Sequence, residues 1–197
     1  MVALLDIDTQ VLERVSWLLT EAYLAERTVF ICGNGGSAST ASHLALDLTK
    51  LTTPPGALRR LKCMALTESL PTITAIGNDT SYDHIFVEQL RAWMQPGDVV
   101  IGLSTSGSSR NVLEAIDHAN GHGAVTVGMT GRDGVELMRR AKETLIIGST
   151  SVQRIEDLSM VASHLLVLMT KDNCCEALGP SEHAAPSETK LGNGEAA

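Results

Sequence analysis

Two short apolar runs, Val29-Phe30-Ile31 and Val99-Val100-Ile101-Gly102-Leu103, each end on a turn rich in glycine and hydroxyl side chains. Each turn then opens into a stretch of helical periodicity. The first is Cys32-Gly33-Asn34-Gly35-Gly36-Ser37-Ala38 and the second Ser104-Thr105-Ser106-Gly107-Ser108-Ser109. A strand that stops at such a turn and restarts as a helix aims free backbone N–H groups and a positive helix end at one point, which suits an anion. One such turn says little, because tight strand-to-helix turns need Gly and Ser in any case. Two of them point to a small phosphorylated ligand held between adjacent strand ends.

The rest of the chain repeats this alternation. Ile7, Val11, Leu12, Val15, Leu18, Leu19 and Tyr23 mark a first helix over 6–26. Strands are expected at 28–31, 62–66, 99–103, 124–129 and 144–147. Helices are expected at 37–51, 69–76, 83–94, 109–121, 135–141 and 152–171. Pro54-Pro55-Gly56 reads as a break, Gly77-Asn78-Asp79 as a turn, and Trp93 and Met94 as a face packed on the core. Strands separated by helices imply an α/β fold: a parallel sheet of five strands covered on both faces, with extra N- and C-terminal helices. Ligands of such sheets lie beyond the C-terminal strand ends, near the switch point, where both turns fall. The first and last helices are more apolar than one sheet needs, which suggests self-association or packing on the sheet. From Asn173 onward periodicity is lost, so the expectation is a single domain over 1–171 and a disordered tail over 172–197.

Composition excludes several classes. A net charge of −8 argues against nonspecific nucleic-acid binding, which relies on clustered Lys and Arg. An anionic ligand must therefore be held by local dipoles and hydroxyls. No stretch approaches the ~20 apolar residues of a spanning helix, and the N-terminus does not read as a signal peptide. The expectation is no membrane association and a cytoplasmic location. Cys32 and Cys63 sit in apolar runs and read as buried thiols, whereas Cys174-Cys175 fall in the polar tail.

The candidate chemical residues lie on two helices. His43 and Asp47 are four apart on the helix leaving the first turn and share one face. That spacing suits a metal or a hydrogen-bonded acid/base pair, and equally an ordinary surface pair. Glu156 and His164 lie on the last helix, separated by about 12 Å of rise, and reach one ion only by leaning together. A core histidine flanked by Val161, Ala162, Leu165 and Leu166 is the plainer reading of His164, and a charge at the positive helix end that of Glu156. Lys50 reads as a phosphate partner or a solvated residue.

Taken in order, Gly33-Asn34-Gly35-Gly36-Ser37, His43, Gly77-Asn78-Asp79, Pro96-Gly97-Asp98, Ser104-Thr105-Ser106-Gly107, Thr130-Gly131 and Arg154-Ile155 resemble the sugar isomerase (SIS) domain, and within it the phosphoheptose isomerase branch. The resemblance implies a flavodoxin-like, doubly wound five-stranded sheet and a homotetramer with active sites shared between subunits. It implies that Asn34, Gly35, Gly36, Ser37, Ser104, Thr105, Ser106 and Ser109 hold the substrate, the serines on its phosphate, and that Asn78 and Asp79 contact the sugar. It implies a zinc ion at His43, Asp47, Glu156 and His164. Two of these four depart from the family pattern: Asp47 stands where the family has Glu, and Glu156 where it has Gln. Two His and two carboxylates still suit a divalent metal.

The activity so implied is an aldose–ketose isomerisation of sedoheptulose 7-phosphate through an enediol. Asp47 and His164 are the expected acid/base groups, with Glu156 also facing the sugar. Two alternatives stand beside it. One is an isomerase of an octose 8-phosphate in antibiotic sugar biosynthesis, which the altered ligands would fit. The other is a non-catalytic relative that binds the replication initiator; retention of a carboxylate at 47 and of His164 favours an enzyme.

Overall fold

The computed structural model describes residues 7–54 and 57–178. Asp6 of the expected first helix, Pro55-Gly56 of the expected break and 179–197 of the expected tail lie outside these residues. The elements, in order, are α1 (Thr9–Leu24), β1 (Thr28–Gly33), α2 (Gly36–Leu51), β2 (Lys62–Ala65), α3 (Leu70–Asp79), a 3-10 turn (Tyr82–His84), α4 (Val87–Trp93), β3 (Val99–Ser104), α5 (Arg110–Gly121), β4 (Val125–Gly131), α6 (Val135–Arg140), β5 (Glu143–Ile147) and α7 (Val152–Leu178).

The five strands form one sheet, all parallel, in the order β2-β1-β3-β4-β5. The chain winds outward from β1 to β2, then crosses back to β3 on the other side. The switch point thus lies between β1 and β3, the two strands that end in the Gly/Ser turns.

Burial explains the near-continuous apolar strands. Every residue of β3 is buried, as befits a central parallel strand covered on both faces. Alternate side chains feed two cores. Val29, Ile31, Val99, Ile101, Leu103 and Met129 point to the layer of α1, α2 and α7. Phe30, Cys32 and Val100 point to the layer of α4, α5 and α6.

Helix α1 starts where Asp8 caps it, accepting from the N–H groups of Gln10 at 2.9 Å and Val11 at 3.4 Å. Its apolar face packs into the first core beside α7, so much of the excess apolar character of these two helices is used within the chain. Exposed apolar residues remain on α1 at Trp17 and on α7 at Leu165 and Leu168.

Four local expectations change. Gly77-Asn78-Asp79 is the last turn of α3, which closes as the Thr80 N–H donates to the Ile76 carbonyl. The expected helix 83–94 is a 3-10 turn followed by α4. Trp93 is 62% exposed, whereas Met94 packs against the second core. Helix α7 continues to Leu178 because Cys174 is fully buried in the first core, which extends apolar periodicity past Lys171. Burial pushes the thiols of Cys32 and Cys63 up to about 12, and that of Cys174 to about 11. None of the four cysteines is paired.

Candidate active site

Helices α2 and α7 lie side by side, in register from their N-terminal ends. At the start of α2, Gly36 is so close to Glu156 of α7 that a Cβ there would fall 2.2 Å from Glu156 Oε1. Seven residues further along α2 and eight along α7, His43 meets His164. Their Nε2 atoms are 3.2 Å apart. Asp47, one turn further along α2, places Oδ2 at 3.1 Å from His43 Nε2 and 3.8 Å from His164 Nε2.

Three donor atoms thus converge on one point from residues 121 positions apart in the chain. Two facing Nε2 atoms and a carboxylate oxygen carry lone pairs aimed together, an arrangement that a cation or shared protons must satisfy. Tetrahedral ligands with bonds of ~2.0–2.1 Å lie roughly 3.3 Å from one another. The separations of 3.1, 3.2 and 3.8 Å bracket that value, so the three residues fit a divalent metal. Three protein ligands with an open fourth position is also the arrangement that catalytic zinc sites use. Asp47 is the most sheltered of the three, its side chain 16% accessible against 44% for His43. His164 is exposed and is no core histidine.

Glu156, the fourth expected ligand, is not among this group. Eight helical residues rise about 12 Å, and the carboxylate stays at its own level against Gly36. It lies over the open N-terminal end of α2, where no side chain caps the helix.

The expected substrate residues assemble around the switch point. Asn34 follows β1 directly, and its amide forms a reciprocal pair with Asn111 of α5, both bonds 2.9 Å. The two Gly/Ser turns are thereby tied together. Asn34 Oδ1 also accepts from the phenol of Tyr82 at 2.9 Å. In the second turn, the hydroxyls of Ser104 and Ser109 are 2.9 Å apart, as are those of Ser106 and Ser108. Thr105 and Ser106 line a cavity of about 230 Å³ with Gly131, Asp133 and Ser149, at the ends of β3, β4 and β5. Ser37 is buried in the first turn of α2, Gly35 and Gly36 are exposed, and Gly35 takes φ +54. Asn78 and Asp79 are exposed at the end of α3, with Asn78 Nδ2 donating to Asp79 Oδ1 at 2.8 Å. His43 also opens onto a groove of about 850 Å³ between α2 and the edge strand β2.

Lys50 sits exposed in the last turn of α2, where a cation is favourable, at the end opposite the anion-binding turn. Tyr82 and Asn111 were not among the residues expected from the sequence. Asn111 could have been suspected from its place two residues beyond Ser109, whereas nothing near Tyr82 marks it.

A family model described as the SIS domain matches residues 2–131. The phosphoheptose isomerase of Rhodospirillum rubrum is 39% identical over 158 residues, covering 80% of this chain and 83% of that protein. The phosphoheptose isomerase of Aquifex aeolicus is 34% identical over 174 residues, covering 88% and 90%. Among solved structures, the phosphoheptose isomerase GmhA of Neisseria gonorrhoeae aligns with a TM-score of 0.77 at 31% identity, covering 83% of this chain and 86% of that one.

Proposed function

The chain belongs to the SIS domain family, in its phosphoheptose isomerase branch, and from that membership we infer that it is an aldose–ketose isomerase interconverting sedoheptulose 7-phosphate and the corresponding aldoheptose phosphate. The observation that carries the chemistry is the meeting of His43, Asp47 and His164 between α2 and α7, about two turns along α2 from its Gly/Ser end. Neither the octose phosphate nor the initiator-binding alternative gains support from the relatives, which are named phosphoheptose isomerases.

In this reading the phosphate sits among Ser104, Thr105, Ser106 and Ser109, with Ser37 at the start of α2 completing the cradle. Seven residues of α2 separate that end from His43, a rise of about 10 Å, comparable to the reach of an extended seven-carbon chain. The carbonyl end then lies at His43, Asp47 and His164. A divalent cation such as zinc, held by these three, supplies positive charge for the oxyanion that develops there. Asp47 Oδ2 faces the histidines, which leaves Oδ1 to take the proton from one carbon and return it to its neighbour. His164 moves the hydroxyl proton through Nδ1, the ring nitrogen turned away from His43. Asn34, Asn78, Asp79 and Glu156 hold sugar hydroxyls.

A homotetramer with sites at subunit interfaces is part of the same proposal. Leu46 on α2 and Leu165 and Leu168 on α7 are exposed on the two helices that carry the histidines. The free cysteines suit the cytoplasm, and no helix among the described residues is long and apolar enough to cross a membrane.

A panel of C6 to C8 ketose phosphates, assayed with and without chelator, tests the reading. Turnover of sedoheptulose 7-phosphate, lost on chelation and restored by zinc, is expected. Asp47→Asn should lower kcat at least 100-fold, in a particle whose sedimentation mass is four chains. Full turnover by that variant, or turnover indifferent to chelator, would remove Asp47 or the metal from the mechanism.

A further inference from the structure

Helix α3 carries Asn78 and Asp79, yet none of its residues is buried. Its partly buried Ile73 and Ile76 rest on the second core. Among the described residues, one side-chain hydrogen bond ties the segment 70–84 to the sheet-end turns: Tyr82 Oη to Asn34 Oδ1, 2.9 Å. The tyrosine itself is 58% exposed, so burial does not account for where its ring lies.

The bond also decides what Asn34 can offer a ligand. An amide oxygen accepts two hydrogen bonds and an amide nitrogen donates two. Asn34 Oδ1 accepts from Asn111 Nδ2 and from Tyr82, so its capacity is full. Asn34 Nδ2 donates once, to Asn111 Oδ1, and keeps one N–H. Asn111 is 2% exposed, and its Oδ1 also accepts from the Val112 N–H at 3.0 Å, so this side of the pair is fixed by α5. With Tyr82 in place, Asn34 presents a donor only. Without the phenol, an acceptor lone pair faces the site as well. The phenol oxygen, having donated, keeps its own lone pairs for a hydroxyl.

We propose that Tyr82 is a positioning residue for sugar binding, whose hydroxyl holds Asn34 as a pure donor and anchors the helix end bearing Asn78 and Asp79 over the site. The inference rests on the isomerase reading above. It assigns Tyr82 to ground-state binding: the bond exists before substrate arrives and persists through the reaction. Its loss therefore raises KM and leaves kcat nearly alone.

The test is Tyr82→Phe, which keeps the ring and removes the hydroxyl. Loss of one neutral hydrogen bond of ~0.5–1.5 kcal/mol corresponds to a KM for sedoheptulose 7-phosphate about 2- to 13-fold higher, with kcat within twofold and the urea midpoint unchanged. The side-chain amide resonances of Asn34 in 15N-labelled protein should shift in the same variant without ligand, a readout that needs no turnover. An unchanged KM in Tyr82→Phe, with the parent chain active, overturns the inference alone. So does an unmoved Asn34 amide resonance. A parent chain that turns over no sedoheptulose 7-phosphate overturns the isomerase reading and this inference together.

Discussion

Asp47 has a shorter reach than the glutamate of the family pattern, yet its Oδ2 still meets both histidines. The shortfall of one methylene is absorbed because His43 lies one turn below on the same helix, at 3.1 Å. Glu156 is the opposite case: its carboxylate finds room through an absent side chain, that of Gly36. A Cβ at Gly36 would overlap Oε1 at 2.2 Å and Cδ at 2.4 Å, both at the far end of a flexible side chain. Gly36→Ala should therefore leave stability within about 0.5 kcal/mol, since the carboxylate can swing away and Ala is the better helix former. Its effect should appear in catalysis if, as proposed, the Glu156 carboxylate holds a sugar hydroxyl. Gly36→Ala and Glu156→Ala should lower kcat/KM to a similar degree, and the double variant should lose no more than either, since both remove the same contact. Additive losses would show that Gly36 contributes through something other than the placement of Glu156.

At the scale of elements, the turn after β3 depends on backbone shape. Gly107 takes φ +65, and a Cβ there would fall 2.3 Å from the Cα of Gly134, which belongs to the turn after β4. An alanine would meet left-handed strain of ~1–2 kcal/mol and rigid backbone on a neighbouring turn, worth ~1–3 kcal/mol where packing cannot yield. Gly107→Ala is expected to lower the unfolding free energy by about 2–5 kcal/mol, read from urea midpoints. Gly121→Ala, with open space around its Cβ, should cost nothing measurable. These Gly/Ser turns are also why most elements were legible in the sequence. Each marks where a strand must stop, and the apolar runs before them are fully buried strands. The His43–Asp47 pair was legible because i and i+4 share a helix face, whereas its union with His164 depends on α2 and α7 packing together. No local pattern encodes that packing, and resemblance to a family had to supply it. Gly77-Asn78-Asp79 was misread because turn-forming residues also tolerate the last turn of a helix. Trp93 was misread because the 3-10 turn at Tyr82–His84 shifts the phase of α4. Tyr82 was invisible because its role is a single long-range hydrogen bond.

For the whole molecule, the sheet both positions the site and shelters groups that report on its integrity. Cys32 lies in β1, immediately before the first turn, and is fully buried in the second core. Burial raises its thiol from an ordinary 9.0 to about 12. Cys63, paired with Val29 in the register of β2 on β1, is raised likewise to about 12, despite a hydrogen bond with Thr49 that acts the other way. The folded chain therefore keeps these protons to higher pH than the unfolded chain, which releases them near 9.0. Below that pH both states hold the proton and the thiols contribute no pH dependence. Between about 9 and 12 the unfolded state binds fewer protons, so stability falls as pH rises. Each thiol removes ~1.4 kcal/mol per pH unit across that window. Lysine and tyrosine titrations add slopes of their own, so the comparison is between the parent chain and Cys32→Val, of similar volume. Urea midpoints of the two should keep a constant offset up to roughly pH 9 and then converge or cross, because the variant lacks one proton release. A constant offset up to roughly pH 11 would show that β1 opens readily enough for Cys32 to ionise in the folded state. The strand that leads into Asn34 would then be a mobile element rather than the fixed centre of the sheet.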